Sequence, residues 1–185
     1  MTTPSSFTGE QLTTALRVLG VDFIMGENLG QGSLYKKPVS LIAALAKSPE
    51  ARLRLSLIPL FLEHPEFSEY VPSVSKKLGP ITRITLQCYY TAAVLLQKQH
   101  QHQLDALIGS KPSLPDYFSS GLGLEITADF EENLRCLALR HQELSNSQVN
   151  WLGTYRYDVR VWLKGWSCSG DKRWITHKFN LSCMF

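Results

Sequence analysis

The residues that come closest to a catalytic arrangement are Arg135 and His141, which have the spacing R-x5-H. An imidazole is suited to proton transfer because its pKa lies close to neutral pH. Both residues fall in a predicted helix over about 130–144, so each side chain has a defined direction. His141 lies in the apolar seam of that helix, where a hydrogen-bonded core histidine is commoner than a catalytic one.

The same spacing resembles the R-x4–6-H pattern of the helical HEPN ribonucleases. That resemblance implies a metal-independent ribonuclease in which Arg135 and His141 act on the 2′-hydroxyl and the scissile phosphate of RNA. The polar residue that usually follows the arginine is missing, since Cys136 occupies its position. We therefore keep a ribonuclease as an alternative and predict that the protein is not an enzyme.

Other combinations of residues do not indicate metal, cofactor or nucleotide chemistry. His100 and His102 are two positions apart, and on a helix that spacing turns them to nearly opposite sides, so they cannot bind one ion together. The glycines of the segment GENLGQGSLYKKP, 26–38, match neither GxGxxG nor GxxxxGK[ST], so a surface loop is predicted there. The sequence therefore predicts no metal and no cofactor.

Residues 151–185 are more suggestive, because aromatic residues and arginines are interleaved there. Such a mixture can anchor a protein–protein interface, or it can stack on single-stranded bases. Packing inside the chain's own core is a third interpretation. The side chains predicted to bind a partner are Tyr155, Tyr157, Arg160, Trp162, Trp166 and Trp174.

The local pattern of this tail supports two structures. Polar and apolar residues alternate over 154–164, a turn-like stretch covers 167–173, and alternation resumes over 174–183. Period-two alternation predicts a C-terminal β-hairpin. The rival interpretation is a helix that begins at Trp151. Its apolar face would carry Tyr155, Val159, Trp162 and Trp166.

Residues 1–150 are predicted to form one mainly α-helical domain, an irregular multi-helix bundle with the tail packed on it. Its centre is a helix over about 81–108, preceded by a proline and followed by a glycine. Because the middle of that helix is apolar around most of its circumference, it needs neighbours on several sides. The Pro/Gly/Ser-rich segment 110–124 is predicted to be a linker or a mobile flap.

Helix starts and one kink can also be predicted. Thr8 with Gln11 has the form of a capping box, and Thr127 or Asp129 precedes the helix over 130–144. Pro59 lies inside an apolar helical stretch and should bend it, because proline removes one backbone hydrogen bond. We therefore expect stacked, kinked helices and not a straight bundle.

Composition sets a few bounds. The chain has 185 residues, of which 44% are hydrophobic, and 19 basic against 16 acidic residues give a net charge of +3. A dedicated nucleic-acid binder more often shows a clustered basic stripe. No secretory signal is visible in MTTPSSFTGE, and the apolar part of the central helix is too short to span a membrane. We predict a cytoplasmic protein with no membrane partner.

The blocks SPEARLRLSLIPLFLEHPEF, 48–67, and YYTAAVLLQ, 89–97, resemble a group of small uncharacterised prokaryotic helical proteins. These accompany nucleotidyltransferase-type proteins in toxin–antitoxin-like pairs. The resemblance implies a companion or antitoxin-like role and supplies no catalytic residue. The leading prediction is therefore a protein-interaction protein that docks on a protein partner. A nucleic-acid-binding module that uses the tail, and the ribonuclease, are the alternatives. The sequence makes no prediction of oligomeric state.

Overall fold

The computed structural model describes residues 7–21 and 33–168, with the backbone alone for residues 157–159, 161 and 164–168. All regular structure in these ranges is helical, which confirms the mainly α prediction. The α-helices are α1 (Gly9–Val18), α2 (Pro38–Lys47), α3 (Ala51–Leu55), α4 (Leu57–Glu63), α5 (Val71–Lys77), α6 (Pro80–Gln99), α7 (Gln101–Ile108), α8 (Phe130–Ser145) and α9 (Trp151–Cys168). Two 3₁₀ helices cover Ser33–Lys36 and Pro65–Tyr70.

Helix α6 is the centre of the fold. Every residue from Cys88 to Gln97 is buried, because α6 packs against α8, α4 and α2. This confirms the prediction that the helix has neighbours on several sides. The first turn of α6 differs from its middle, since Ile81 there is 79% exposed.

The single helix predicted over 81–108 is wrong in one respect. The helix is interrupted at His100 (φ −107°, ψ 16°), and α7 begins at the next residue. The polar run over 98–103 offers no apolar face that would hold a straight extension against the core. The change of direction allows Leu104 and Ile108 to be buried in the core.

Local start signals act as predicted. Thr8 and Gln11 form a capping box at the start of α1, and the Asp129 carboxylate accepts two backbone N–H groups at the start of α8. Pro59 does not bend a continuous helix. Helix α3 ends just before Ser56 and α4 begins just after it. Pro59 therefore lies in the first turn of α4, where no intrahelical hydrogen bond is lost.

Segment 110–124, predicted to be a linker or mobile flap, packs on α6 instead. The Gln97 side chain accepts the Leu114 N–H (2.7 Å) and donates to another carbonyl of the segment (3.0 Å). The Tyr90 hydroxyl donates to the Pro115 carbonyl (2.8 Å). The prolines and glycines of this segment prevent regular structure without preventing burial.

The predicted C-terminal hairpin is wrong for residues 151–168, which form α9. Asn150 caps this helix, since its side-chain oxygen accepts the Gly153 N–H (2.9 Å). Tyr155 and Trp162 are both buried in the core. Their separation is odd, so a strand would turn them to opposite faces, whereas two helical turns place them on one face. Burial of both side chains therefore requires the helix.

Some predictions lie outside the described residues. These are the second strand over 174–183, the side chain of Trp174, and residues 26–32 of the glycine-containing loop. Within the ranges that are described, no helix is both long and apolar enough to cross a membrane.

Candidate functional site

The structure separates the predicted catalytic pair. Six positions along α8 turn the two side chains about 120° apart around the helix axis. Arg135 is exposed and forms an ion pair with Glu132 (3.6 Å), whereas His141 is only 1% exposed. The guanidinium and the imidazole therefore do not face a common ligand.

His141 belongs to a buried aromatic cluster. Its Nδ1 lies 2.6 Å from the Tyr155 hydroxyl, its ring stacks on Trp151 with centroids 3.8 Å apart, and Tyr89 meets it edge-on. Burial lowers the pKa of His141 to about 4, because the charged imidazolium would lose its hydration. The imidazole is thus a neutral packing group, enclosed on several sides and out of reach of RNA.

Two of the predicted partner-binding aromatic residues belong to the core as well. Tyr155 is fully buried, and the Trp162 Nε1–H donates to the buried carboxylate of Glu63 (2.6 Å). They anchor α9 to α8 and α4 and do not present a surface to a partner. The side chains of Tyr157, Trp166 and Trp174 lie outside the described part of the structure, which leaves Arg160 as an exposed predicted site residue.

Arg160 lines an open groove of about 290 Å³ between the end of α6, the start of α8 and the outer face of α9. We call this surface the α9 groove. Its apolar lining residues are Leu96, which is only 1% exposed, and the partly buried Leu163, and its other lining residues are polar. The break between α6 and α7 contributes directly, because it places His100 and Gln103 along the rim.

The groove contains a bound carboxylate from the protein itself. Glu131, in the first turn of α8, contacts Arg156 Nη2 and accepts a hydrogen bond from Gln99 Nε2 (2.8 Å). The Arg156 hydrogen bond, and then that of Gln99, hold the pKa of the Glu131 carboxyl below its usual range. Arg156 Nε is buried with no hydrogen-bond partner among the described residues, so the guanidinium is paired along one edge only.

One turn further along α9, Arg160 faces the same groove, because residues four apart on a helix are neighbours on its surface. It is exposed and forms no ion pair with the described part of the chain. His100 Nδ1 and Gln103 Oε1, 2.9 Å apart, lie on the α6–α7 side. Two guanidinium groups and one carboxylate leave the groove with an excess of positive charge.

Sequence reasoning found only Arg160 among the lining residues of this groove. The spacing of His100 and His102 bears on metal binding alone, and in the predicted hairpin Arg156 and Arg160 are not neighbours one helical turn apart. The signal that could have identified the groove was Asn150, a favoured capping residue just before Trp151. A helix begun there brings the Cβ atoms of the two arginines to about 5–6 Å from each other, whereas a strand would hold the two residues about 13 Å apart.

The described residues include no group of three or more His, Cys, Asp or Glu side chains that could hold a metal ion. Neither a known protein family, nor a curated protein, nor a solved structure matches this chain. Function is therefore inferred from the α9 groove itself.

Proposed function

We propose that this protein is a non-catalytic companion protein that docks on a protein partner through the α9 groove. The observation that carries the proposal is the composition of that open surface. Exposed Arg160 lies beside an arginine that already holds a carboxylate, and partly buried Leu163 lies on the same surface. His141, the residue most suited to acid–base chemistry, is buried in packing contacts.

The lining of the groove favours a protein over single-stranded nucleic acid. Base stacking needs exposed aromatic faces, and none of the described side chains that line the groove belongs to Phe, Tyr or Trp. Apolar and cationic groups side by side suit a protein segment that carries both apolar and charged side chains, as interfaces generally do.

The resemblance of residues 48–67 and 89–97 to companions of nucleotidyltransferase-type proteins agrees with this proposal, and it makes a toxin-like enzyme the proposed partner. In the fold, residues 57–63 and 89–97 are buried. Most of the two blocks therefore lies in the core and cannot contact a partner, so docking is assigned to the α9 groove.

Affinity capture from an extract of the source organism tests the proposal. The baits are the full-length protein, an Arg160→Glu variant and an Arg52→Glu control. The control substitution makes the same change of charge as Arg160→Glu. It lies outside the groove, because Arg52 is exposed on α3. The wild-type and control baits should retain one stoichiometric protein, and Arg160→Glu should lose it.

Two results would contradict the proposal. Equal capture by all three baits would place docking elsewhere, and recovery of nucleic acid only at low salt would favour the electrostatic binding of a nucleic acid. The ribonuclease alternative has its own test. RNA cleavage that is lost in Arg135→Ala would support it, since Arg135 is exposed and its removal should not affect folding.

A further inference from the structure

The carboxylate already held in the α9 groove points to the kind of segment that the groove receives. We propose that the groove binds an acidic protein segment, with one carboxylate at Arg160 and a second that replaces Glu131 at Arg156. This inference rests on the proposed function and names the chemical class of the partner segment. Glu131 is then a built-in competitor for that segment.

The contacts of Glu131 come from separate parts of the fold. Gln99 ends α6, Glu131 lies in the first turn of α8, and Arg156 lies in the second turn of α9. Packing of three helices therefore places an amide donor and a guanidinium donor around one carboxylate. The Glu131 and Arg156 side chains remain 48% and 38% exposed, so a carboxylate from outside can reach the same donors.

The internal pair also leaves part of Arg156 unused. Arginine and carboxylate groups often form two parallel hydrogen bonds, which are stronger than a single one. Here Nη2 contacts Glu131, while the buried Nε has no partner among the described residues. The internal pair is therefore weaker than a bidentate one, so its displacement by a carboxylate from outside costs little.

Arg160 provides the second carboxylate position. Side chains four residues apart on a helix have Cβ atoms roughly 5–6 Å apart, and alternate residues of an extended segment are about 7 Å apart. Two acidic residues on the same side of a partner segment can therefore contact Arg156 and Arg160 together. Gln103, exposed across the groove, can donate from its amide. A nucleic acid would favour a longer cationic track than two guanidinium groups.

Fluorescence anisotropy with a labelled hexaglutamate peptide at low ionic strength tests this inference. The full-length protein is compared with Glu131→Gln and with Glu132→Gln, a control from the same helical turn that has the same charge change but is paired with Arg135 outside the groove. Glu131→Gln should tighten binding about two- to fivefold, as expected when one exposed ion pair no longer competes. Glu132→Gln should stay within about twofold, and adding Arg160→Glu should abolish the gain.

Equal affinities for the two glutamine variants would overturn the role of Glu131. Absence of binding to any form, or tighter binding of a labelled hexauridylate, would overturn the acidic-segment inference. These outcomes are distinguishable from failure of the proposed function, because the capture experiment with Arg160→Glu reports docking whatever the chemistry of the partner. Groove-dependent capture without hexaglutamate binding would leave the docking function standing and remove only the carboxylate chemistry.

Discussion

Acidification from pH 7 to pH 4 should destabilise this protein through His141. Burial lowers the pKa of His141 from 6.5 to about 4 in the folded protein. Between these two values the unfolded chain binds a proton that the folded protein does not, so the free energy of unfolding falls as the pH falls. The contribution is fully present above about pH 6.5 and is lost by about pH 4.

The size of this effect follows from the difference between the two pKa values of His141. At 1.36 kcal/mol for each pH unit, the loss is about 3 kcal/mol, a large fraction of the stability of an ordinary domain. His64 acts in the opposite direction. Burial alone would lower its pKa, but hydrogen bonds to Glu66 and to the Leu19 carbonyl outweigh that effect and raise it. The stabilisation from His64 is therefore present at low pH and lost as the pH rises through its folded pKa.

Urea unfolding followed by tryptophan fluorescence, at steps from pH 4 to pH 7.5, measures the effect. The comparison variant is His141→Asn, which cannot titrate and keeps an oxygen that can accept from the Tyr155 hydroxyl. Since His64 and the carboxylates are common to both proteins, their contributions cancel in the difference. The stability of wild type relative to the variant should fall by about 3 kcal/mol between pH 6.5 and pH 4. Parallel pH curves would refute the reasoning, because they would mean that α9 does not enclose this imidazole.

Two further predictions test the packing around α6. Tyr155→Phe should lower the free energy of unfolding by about 1–3 kcal/mol, since a buried histidine nitrogen loses its partner, while Tyr70→Phe, at a half-exposed position, should change it by less than about 0.5 kcal/mol in the same urea assay. Gln97→Leu removes both hydrogen bonds to the following segment. Faster hydrogen exchange at the Leu114 N–H is expected. Unchanged exchange there would mean that the Gln97 side chain does not hold segment 110–124 against α6.

Strong local signals made the core of this fold predictable. The apolar middle of α6 is one short stretch of sequence, and Thr8 and Asp129 each cap the helix that begins at the next residue. The sequence alone therefore carries this information. The tail was not predictable in this way, because its residues satisfy period two and a helical period at once. Burial of Tyr155 against α8 and of Trp162 against α4 selects the helix, and that burial depends on elements far away in the chain.

The α9 groove was hidden for the same physical reason. Its central contact joins Glu131 to Gln99 and Arg156, which lie on three different helices. No local pattern indicates such a convergence. The break at His100 was equally hard to foresee, because it depends on where Leu104 can reach the core. Arg160 was found only because arginine among aromatic residues is a general sign of a binding surface.

Site-specific photo-crosslinking from the groove is the most direct test of the central claim. A photoreactive residue in place of Gln103, exposed at the rim, is compared with the same residue in place of Arg52 on α3. Irradiation in an extract of the source organism should join position 103, and not position 52, to a single protein through an acidic segment. Crosslinking to nucleic acid, or to a protein from position 52 alone, would contradict the assignment of docking to the α9 groove.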